Sequence, residues 1–278
     1  MNYTRNQIRK ILFLGPEGSY TQIAANLFCE KLALAPELEP VSTITKIMSE
    51  HLHSGYLHAV LPIENSVEGI VRETIDNMLH LPDGVRILSQ CCIPVQHCLI
   101  SKGDFSEIKN IISHPQALSQ CQNYICEHFD SNINVTSATS TSQAAKSLNE
   151  LDNTWAAIGN ELCAAHYGLD IIARNINDNP DNQTRFVLLG AGEAPKQERT
   201  SIAFSTKNQP GALLEVLKIF RAHNLNMIYI ESRPSKKVFG EYVFYIDLDC
   251  GANKVQKALD AVWEYCDFYR LLGSYSLI

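Results

Sequence analysis

Five polar blocks in this chain share one placement: each ends a short apolar run and opens a helical pattern. They are Gly15-Pro16-Glu17-Gly18 before Ser19, Glu64-Asn65-Ser66, Ser113-His114-Pro115-Gln116, Ser140-Thr141-Ser142-Gln143 and Asn160-Glu161. The first turn of a helix leaves backbone N–H groups unpaired and carries positive partial charge, so such ends suit carboxylates. Hydroxyl and amide side chains at the same points add donors. Capping alone explains any one block, since Ser, Thr and Asn are preferred caps; as a set they point to an anionic ligand. Asn65, Ser66, Ser140, Thr141 and Asn160 are the candidate contacts. Glu64 and His114 are the groups able to act as acid or base. Arg185 has two readings, a bidentate hold on a ligand carboxylate or a buried partner for Glu64 or Asp178, and both stay open here.

Other chemistries find less support. Gly15-Pro16-Glu17-Gly18-Ser19 is neither a Walker loop nor a G-x-G-x-x-G fingerprint, so nucleotide binding is not expected. His51, His53 and His58 lack the acidic or Cys partner of a metal pattern and are expected on the surface. No metal or other cofactor is expected. The nine cysteines form no C-x-x-C pair and are odd in number, which reads as reduced thiols. Cys91-Cys92 and His97-Cys98 are expected to be small core residues rather than nucleophiles. A formal net charge of -7 argues against a nucleic-acid partner, which needs clustered Lys and Arg. No apolar h-region follows the first residues and no stretch is long enough to span a membrane. A soluble, cytoplasmic chain without membrane association is the expectation.

The elements that must position these residues follow from the same punctuation. Apolar runs at 11–14, 59–63, 110–112, 134–136 and 156–158 read as strands, each leading into a helix, which implies an α/β domain with largely parallel pairing. A polar, Pro- and Gly-containing stretch over 191–199 is the linker candidate. Beyond it strands at 201–205, 227–232, 242–248 and 268–274 alternate with helices at 211–223 and 254–265, the ferredoxin-like βαββαβ order. The chain is thus divided into a first domain over 8–190 and a second over 200–278.

Gly15-Pro16-Glu17-Gly18-Ser19-Tyr20, Pro62-Ile63-Glu64-Asn65-Ser66, Ser113-His114-Pro115-Gln116-Ala117-Leu118 with Gln120-Cys121, Ser140-Thr141, Ala157-Ile158 with Glu161-Leu162, and Asp178-Asn179-Pro180 with Thr184-Arg185-Phe186 resemble, in order, the blocks of the prephenate dehydratase family. The resemblance covers about residues 10–190. Asn208-Gln209-Pro210-Gly211-Ala212-Leu213 and Ile230-Glu231-Ser232-Arg233-Pro234 resemble the ACT domain fused to those enzymes. Departures are mild: Tyr20 where Phe is common, Gly159-Asn160 where Ala-Pro is frequent, and Gln183 where Thr or Val is usual.

The resemblance implies a two-lobed, type 2 periplasmic-binding-protein-like catalytic domain and a lyase that converts prephenate to phenylpyruvate. It implies Thr184 hydrogen-bonded to the departing hydroxyl, with Arg185 and Glu64 beside it. The substrate contacts it implies are Asn65, Ser66, His114, Gln116, Ser140, Thr141, Asn160 and Phe186, the last read mainly as packing. L-Phenylalanine as effector would meet Asn208, Pro210, Gly211, Ala212, Leu213, Glu231, Ser232 and Arg233 between paired ACT domains, so a homodimer or homotetramer is expected. Only about ten residues precede the first strand, so no chorismate mutase activity is expected. Arogenate dehydratase, a catalytically silent amino-acid-binding protein and a pure amino-acid sensor are the alternatives.

Overall fold

The computed structural model describes residues 8–51, 58–235 and 240–278, the side chains of residues 50 and 51 excepted. The first lobe comprises β1 (Lys10–Leu14), α1 (Tyr20–Leu32), β2 (Glu37–Val41), α2 (Ile44–Lys46), β3 (His58–Asn65), β4 (Gly69–Ile70), α3 (Arg72–Met78) and β5 (Val85–Pro94). The second comprises β6 (Cys98–Ser101), β7 (Asn110–Ser113), α4 (Pro115–Ser119), α5 (Gln122–His128), β8 (Asn134–Ser137), α6 (Thr141–Ser147), β9 (Trp155–Gly159), α7 (Glu161–Tyr167) and β10 (Asp170–Ala173). The chain then returns to the first lobe as β11 (Gln183–Ala191). A tail follows: β12 (Arg199–Thr206), α8 (Ala212–Ala222), β13 (Met227–Pro234), β14 (Tyr242–Leu248), α9 (Ala252–Trp263) and β15 (Cys266–Leu277). This is the expected α/β fold with a two-lobed catalytic part and a βαββαβ tail.

Pairing is less parallel than the strand–helix alternation suggests. β1 runs parallel to β2 and β3, and β7 parallel to β8 and β9. The strands at the crossings between lobes are antiparallel, β11 to both β3 and β5, and β6 to β9 and β10. A chain that leaves a lobe along one strand and re-enters along its neighbour must reverse direction there, and neither crossing carries a helix to betray it.

The first-lobe sheet has two apolar faces. One packs Ile11, Phe13, Val60, Phe186 and Leu188 on Ala24, Ala25 and Phe28 of α1. The other packs Leu12, Leu61, Val187 and Leu189 on α3 and on Ala203, Val243, Tyr245 and Tyr275 of the tail. The tail sheet, in order β13-β14-β12-β15, joins the first-lobe sheet through β15 beside β5. Gly273 (φ 154) makes that joint: a Cβ there would run into the Ile87 backbone.

Candidate active site

Thr184, the second residue of β11, lies opposite Asn65 at the end of β3, and the two side chains meet. Asn65 Nδ2 donates to Thr184 Oγ1 at 2.9 Å and to Asn182 Oδ1 at 2.8 Å. Its Oδ1 accepts the N–H groups of Val67 and Glu68 at 3.0 Å each. Asn65 therefore ties the turn after β3 to the strand that carries Thr184. A hydroxyl that accepts from an amide keeps its own hydrogen to donate, and the accepted bond polarises it. Ser66 completes the join, its Oγ accepting the Gln183 N–H at 3.0 Å.

Asn182 also lines a recess of about 200 Å3 between the lobes, with Val67, Glu68, Ser119, Gln120 and Asn179. Gln120 was not singled out from the sequence, although it lies in the block that begins at Ser113. Its Oε1 pairs with His97 Nε2 at 3.1 Å, while its Nε2 is buried without a hydrogen-bond partner among the described residues. Burial pushes the His97 imidazole down, the bond to Gln120 partly offsetting it. The Tyr20 ring closes edge-on against His97 at 5.9 Å, and its hydroxyl donates to Gln96 O at 2.7 Å.

The Gly15–Tyr20 segment belongs to the first lobe but rests on the second. Ser19 caps α1 by accepting the Gln22 N–H at 3.3 Å, and Gln22 Oε1 accepts the Gly18 N–H at 2.6 Å. Ahead of that cap, Asn160 Nδ2 donates to Gly18 O at 2.8 Å, Ser142 Oγ donates to Glu17 O, and Glu17 faces His166 at 3.2 Å. Asn160 is 2% exposed, and its Oδ1 caps α7 by accepting the Cys163 N–H at 2.9 Å. Each end of its amide thus has a partner within the protein, one joining the lobes and one capping α7. Ser140 caps α6 through the Gln143 N–H at 2.9 Å, with Thr141 opening that helix. Ser140 lines a second inter-lobe recess, of about 540 Å3, with Pro16, Glu17, Ser42, Lys146 and Tyr167. His114 caps α4, accepting the Gln116 N–H at 3.3 Å; the far end of that helix, Ser119, reaches the recess beside Asn182. The structure thus gathers Asn65, Ser66 and Thr184, and leaves Ser140 in a separate recess.

Arg185 and Glu64 depart from expectation in direction. Glu64 opposes Arg185 and Pro62 opposes Phe186, so one extra residue is inserted in β3. Such a bulge re-aims side chains. It sets Asn65 beside Thr184 and turns Glu64 with Arg185 to the face covered by the tail. There the Arg185 Nε lies 3.1 Å from Glu64 Oε2, and its Nη1 binds Asp247 of β14. Asp178, the other partner considered, instead accepts the Asn123 N–H at 3.2 Å. Burial alone would lower the Arg185 guanidinium, but Asp247, Tyr245 and Tyr275 together outweigh it and the net shift is upward. Neither Arg185 nor Glu64 shares a face with Thr184, which corrects their placing in the catalytic group. Phe186 is 1% exposed in the α1-side core, so the substrate contact expected of it is corrected to packing.

In the tail, Asn208, Gly211, Ala212 and Leu213 line a cavity of about 220 Å3 closed by Glu241 and Tyr242. Gly211 has φ 83 at the start of α8, a conformation that disfavours any Cβ, and Pro210 precedes it. Glu231, Ser232 and Arg233 lie on β13, outside that lining. Arg233, expected to meet the effector, forms a forked pair with Asp76 of α3, at 3.0 and 3.2 Å. His58 is buried, not on the surface as expected, and burial pushes it down to about 4. His53 and the side chain of His51 lie outside the described residues. Cys91 and Cys98 are buried as expected and Cys92 is exposed. Burial, helped by Cys92, pushes the Cys91 thiol up to about 12, so it stays protonated. No helix among the described residues is long and apolar enough to cross a membrane.

Residues 11–194 match the model of the family described as prephenate dehydratase, and residues 200–261 match that of the ACT domain. A prephenate dehydratase of Methanocaldococcus jannaschii is 37% identical over 273 residues, covering 96% of this chain and 98% of that one. Among solved structures, prephenate dehydratase from Arthrobacter aurescens in complex with L-Phe is similar at a TM-score of 0.86 and 32% identity, covering 96% of this chain and 90% of that one. A quorum-quenching acylase, GqqA, superposes at 0.83 with 26% identity, over 97% of this chain and 98% of its own.

Proposed function

This chain belongs to the prephenate dehydratase family, and from that premise we propose that it converts prephenate to phenylpyruvate in L-phenylalanine synthesis and answers to L-phenylalanine through its ACT domain. The reaction is an elimination. The ring carboxylate leaves as CO2, its electron pair makes the ring aromatic, and the ring hydroxyl departs with one added proton as water. The observation that carries the reading is the Thr184 hydroxyl, held by Asn65 at 2.9 Å at the join of the two lobes.

Thr184 donates to the departing hydroxyl. Threonine is too weak an acid to transfer a proton outright, so the bond acts by strengthening as negative charge develops on the leaving oxygen. Gln120 Nε2, a buried donor at the recess that Asn182 lines, suits a substrate oxygen. The contacts of Asn160 and Cys163 to Gly18 O hold the two lobes together, which limits the access of water to a site between them.

The catalytic and regulatory domains meet between β11 and β12, in residues 192–198. The effector cavity holds the first tail motif without the second, so a site using both draws Glu231 and Ser232 from a second chain. The exposed Ile228 and Ile230 on the edge strand β13, with Leu214 on α8, fit such a dimer, because an uncovered edge with apolar side chains invites pairing. All nine cysteines are free, in keeping with a reducing cytoplasm. Incubation with prephenate or arogenate separates the two dehydratase readings: phenylpyruvate from prephenate is expected, and phenylalanine formed faster from arogenate would replace prephenate as the substrate.

A further inference from the structure

Thr184 and Arg185 are neighbours on one strand, and so are Asn65 and Glu64 on the next. Register pairs Thr184 with Asn65 and Arg185 with Glu64. The hydrogen-bonded Thr184–Asn65 pair is therefore backed, through the same two peptide units, by an ion pair on the tail side. The ladder to β3 is irregular immediately beyond Arg185, whereas that to β5 runs regularly through Cys92 and Ile93, so on the β3 side the side chains supply the hold that the bulged backbone lacks.

The hold comes from the tail. Asp247 is 0% exposed and Arg185 9%; they pair directly, 62 residues apart in sequence. Asp247 Oδ1 also accepts from Ser201 Oγ at 2.5 Å, and Ser201 in turn meets the hydroxyls of Tyr275 at 2.8 Å and Tyr245 at 3.1 Å. The Arg185 guanidinium lies 5.2 Å from the ring centre of Tyr229, which stands opposite Asp247 on β13 and two residues before Glu231. A carboxylate with no access to solvent, fixed by a hydroxyl that two tyrosines hold in turn, is a rigid anchor for the cation it meets.

We infer that Asp247 is a positioning residue for the reaction: from the regulatory sheet it grips Arg185, and so fixes the strand corner that presents Thr184 and Asn65. This rests on the dehydratase reading of the Thr184 site. It also means that a displacement of β13 and β14 reaches Thr184 through one side chain.

The test compares the full chain with Asp247→Asn and with the double variant Arg185→Met, Asp247→Leu, which leaves no buried charge unpaired. Circular dichroism and thermal unfolding establish folding in each. The expected result is a kcat lowered roughly 10–100-fold, as for a small misplacement of a reacting group, with KM little changed and faster hydrogen exchange at the amides of 64–66 and 183–186. The double variant is expected to fold at least as stably and to keep the low kcat. A folded variant turning over at the unaltered rate, or full recovery of kcat in the double variant, overturns the inference. If the unaltered protein leaves prephenate unchanged, the dehydratase reading fails instead, and unchanged exchange at those amides still overturns the grip.

Discussion

A hydroxyl that accepts one hydrogen bond and offers another is the smallest unit on which this account depends. Replacing Thr184 by Val keeps the shape and removes the donor, so kcat is expected to fall about 10²–10³-fold with KM little altered, while Thr184→Ser keeps most of it; steady-state kinetics on prephenate check both. Asn160 is argued to act inside the protein, as helix cap and lobe contact. Asn160→Ala is expected to lower stability by roughly 1–2 kcal/mol, read in urea unfolding, and wild-type unfolding in that variant would show its two bonds to be idle. Thr184, Asn65 and Ser66 were legible because each stands in a block of recognisable order. Asp247 was not, since nothing near position 247 hints at a partner on a strand 62 residues earlier. Gln120 lay in plain view within its block, but only burial of its unpaired Nε2 marks it.

Among elements, β3 and β11 carry the site, and their packing makes a pH prediction. Gly190 of β11 leaves room for the His58 ring at the start of β3; a Cβ there would overlap it. The folded His58 titrates near 4 and the unfolded one near 6.5, so below pH 6.5 the unfolded chain binds more protons. Stability is then full above about pH 6.5 and drains as pH falls toward 4, by an amount on the order of 3 kcal/mol. Burial lowers His97 as well, which adds in the same direction. Urea midpoints at pH 7.5 and pH 5 check this, and His58→Gln should flatten much of the slope; equal midpoints would remove the argument. The strands that precede helices were readable from their punctuation, and the tail elements fell within a few residues of expectation. The crossings between lobes were not, because antiparallel return and a bulge after Pro62 depend on which strand lies alongside, and periodicity is blind to that.

At the scale of the whole molecule, the regulatory sheet extends the catalytic one through β15 and β5, and Arg233, Arg270 and Asp247 each reach across to the first lobe or are reached from it. A tail so joined can transmit its state without a flexible linker taking up the motion. The divided effector motifs predict a dimer or larger, so light scattering should give at least twice the chain's 31.1 kDa; a monomer at every L-phenylalanine concentration would place the effector site elsewhere. The most direct measurement of the central claim is the rate of phenylpyruvate formation from prephenate by the full chain, with and without L-phenylalanine. Steady turnover that changes when L-phenylalanine is added is the predicted result; prephenate left unconverted would contradict the account.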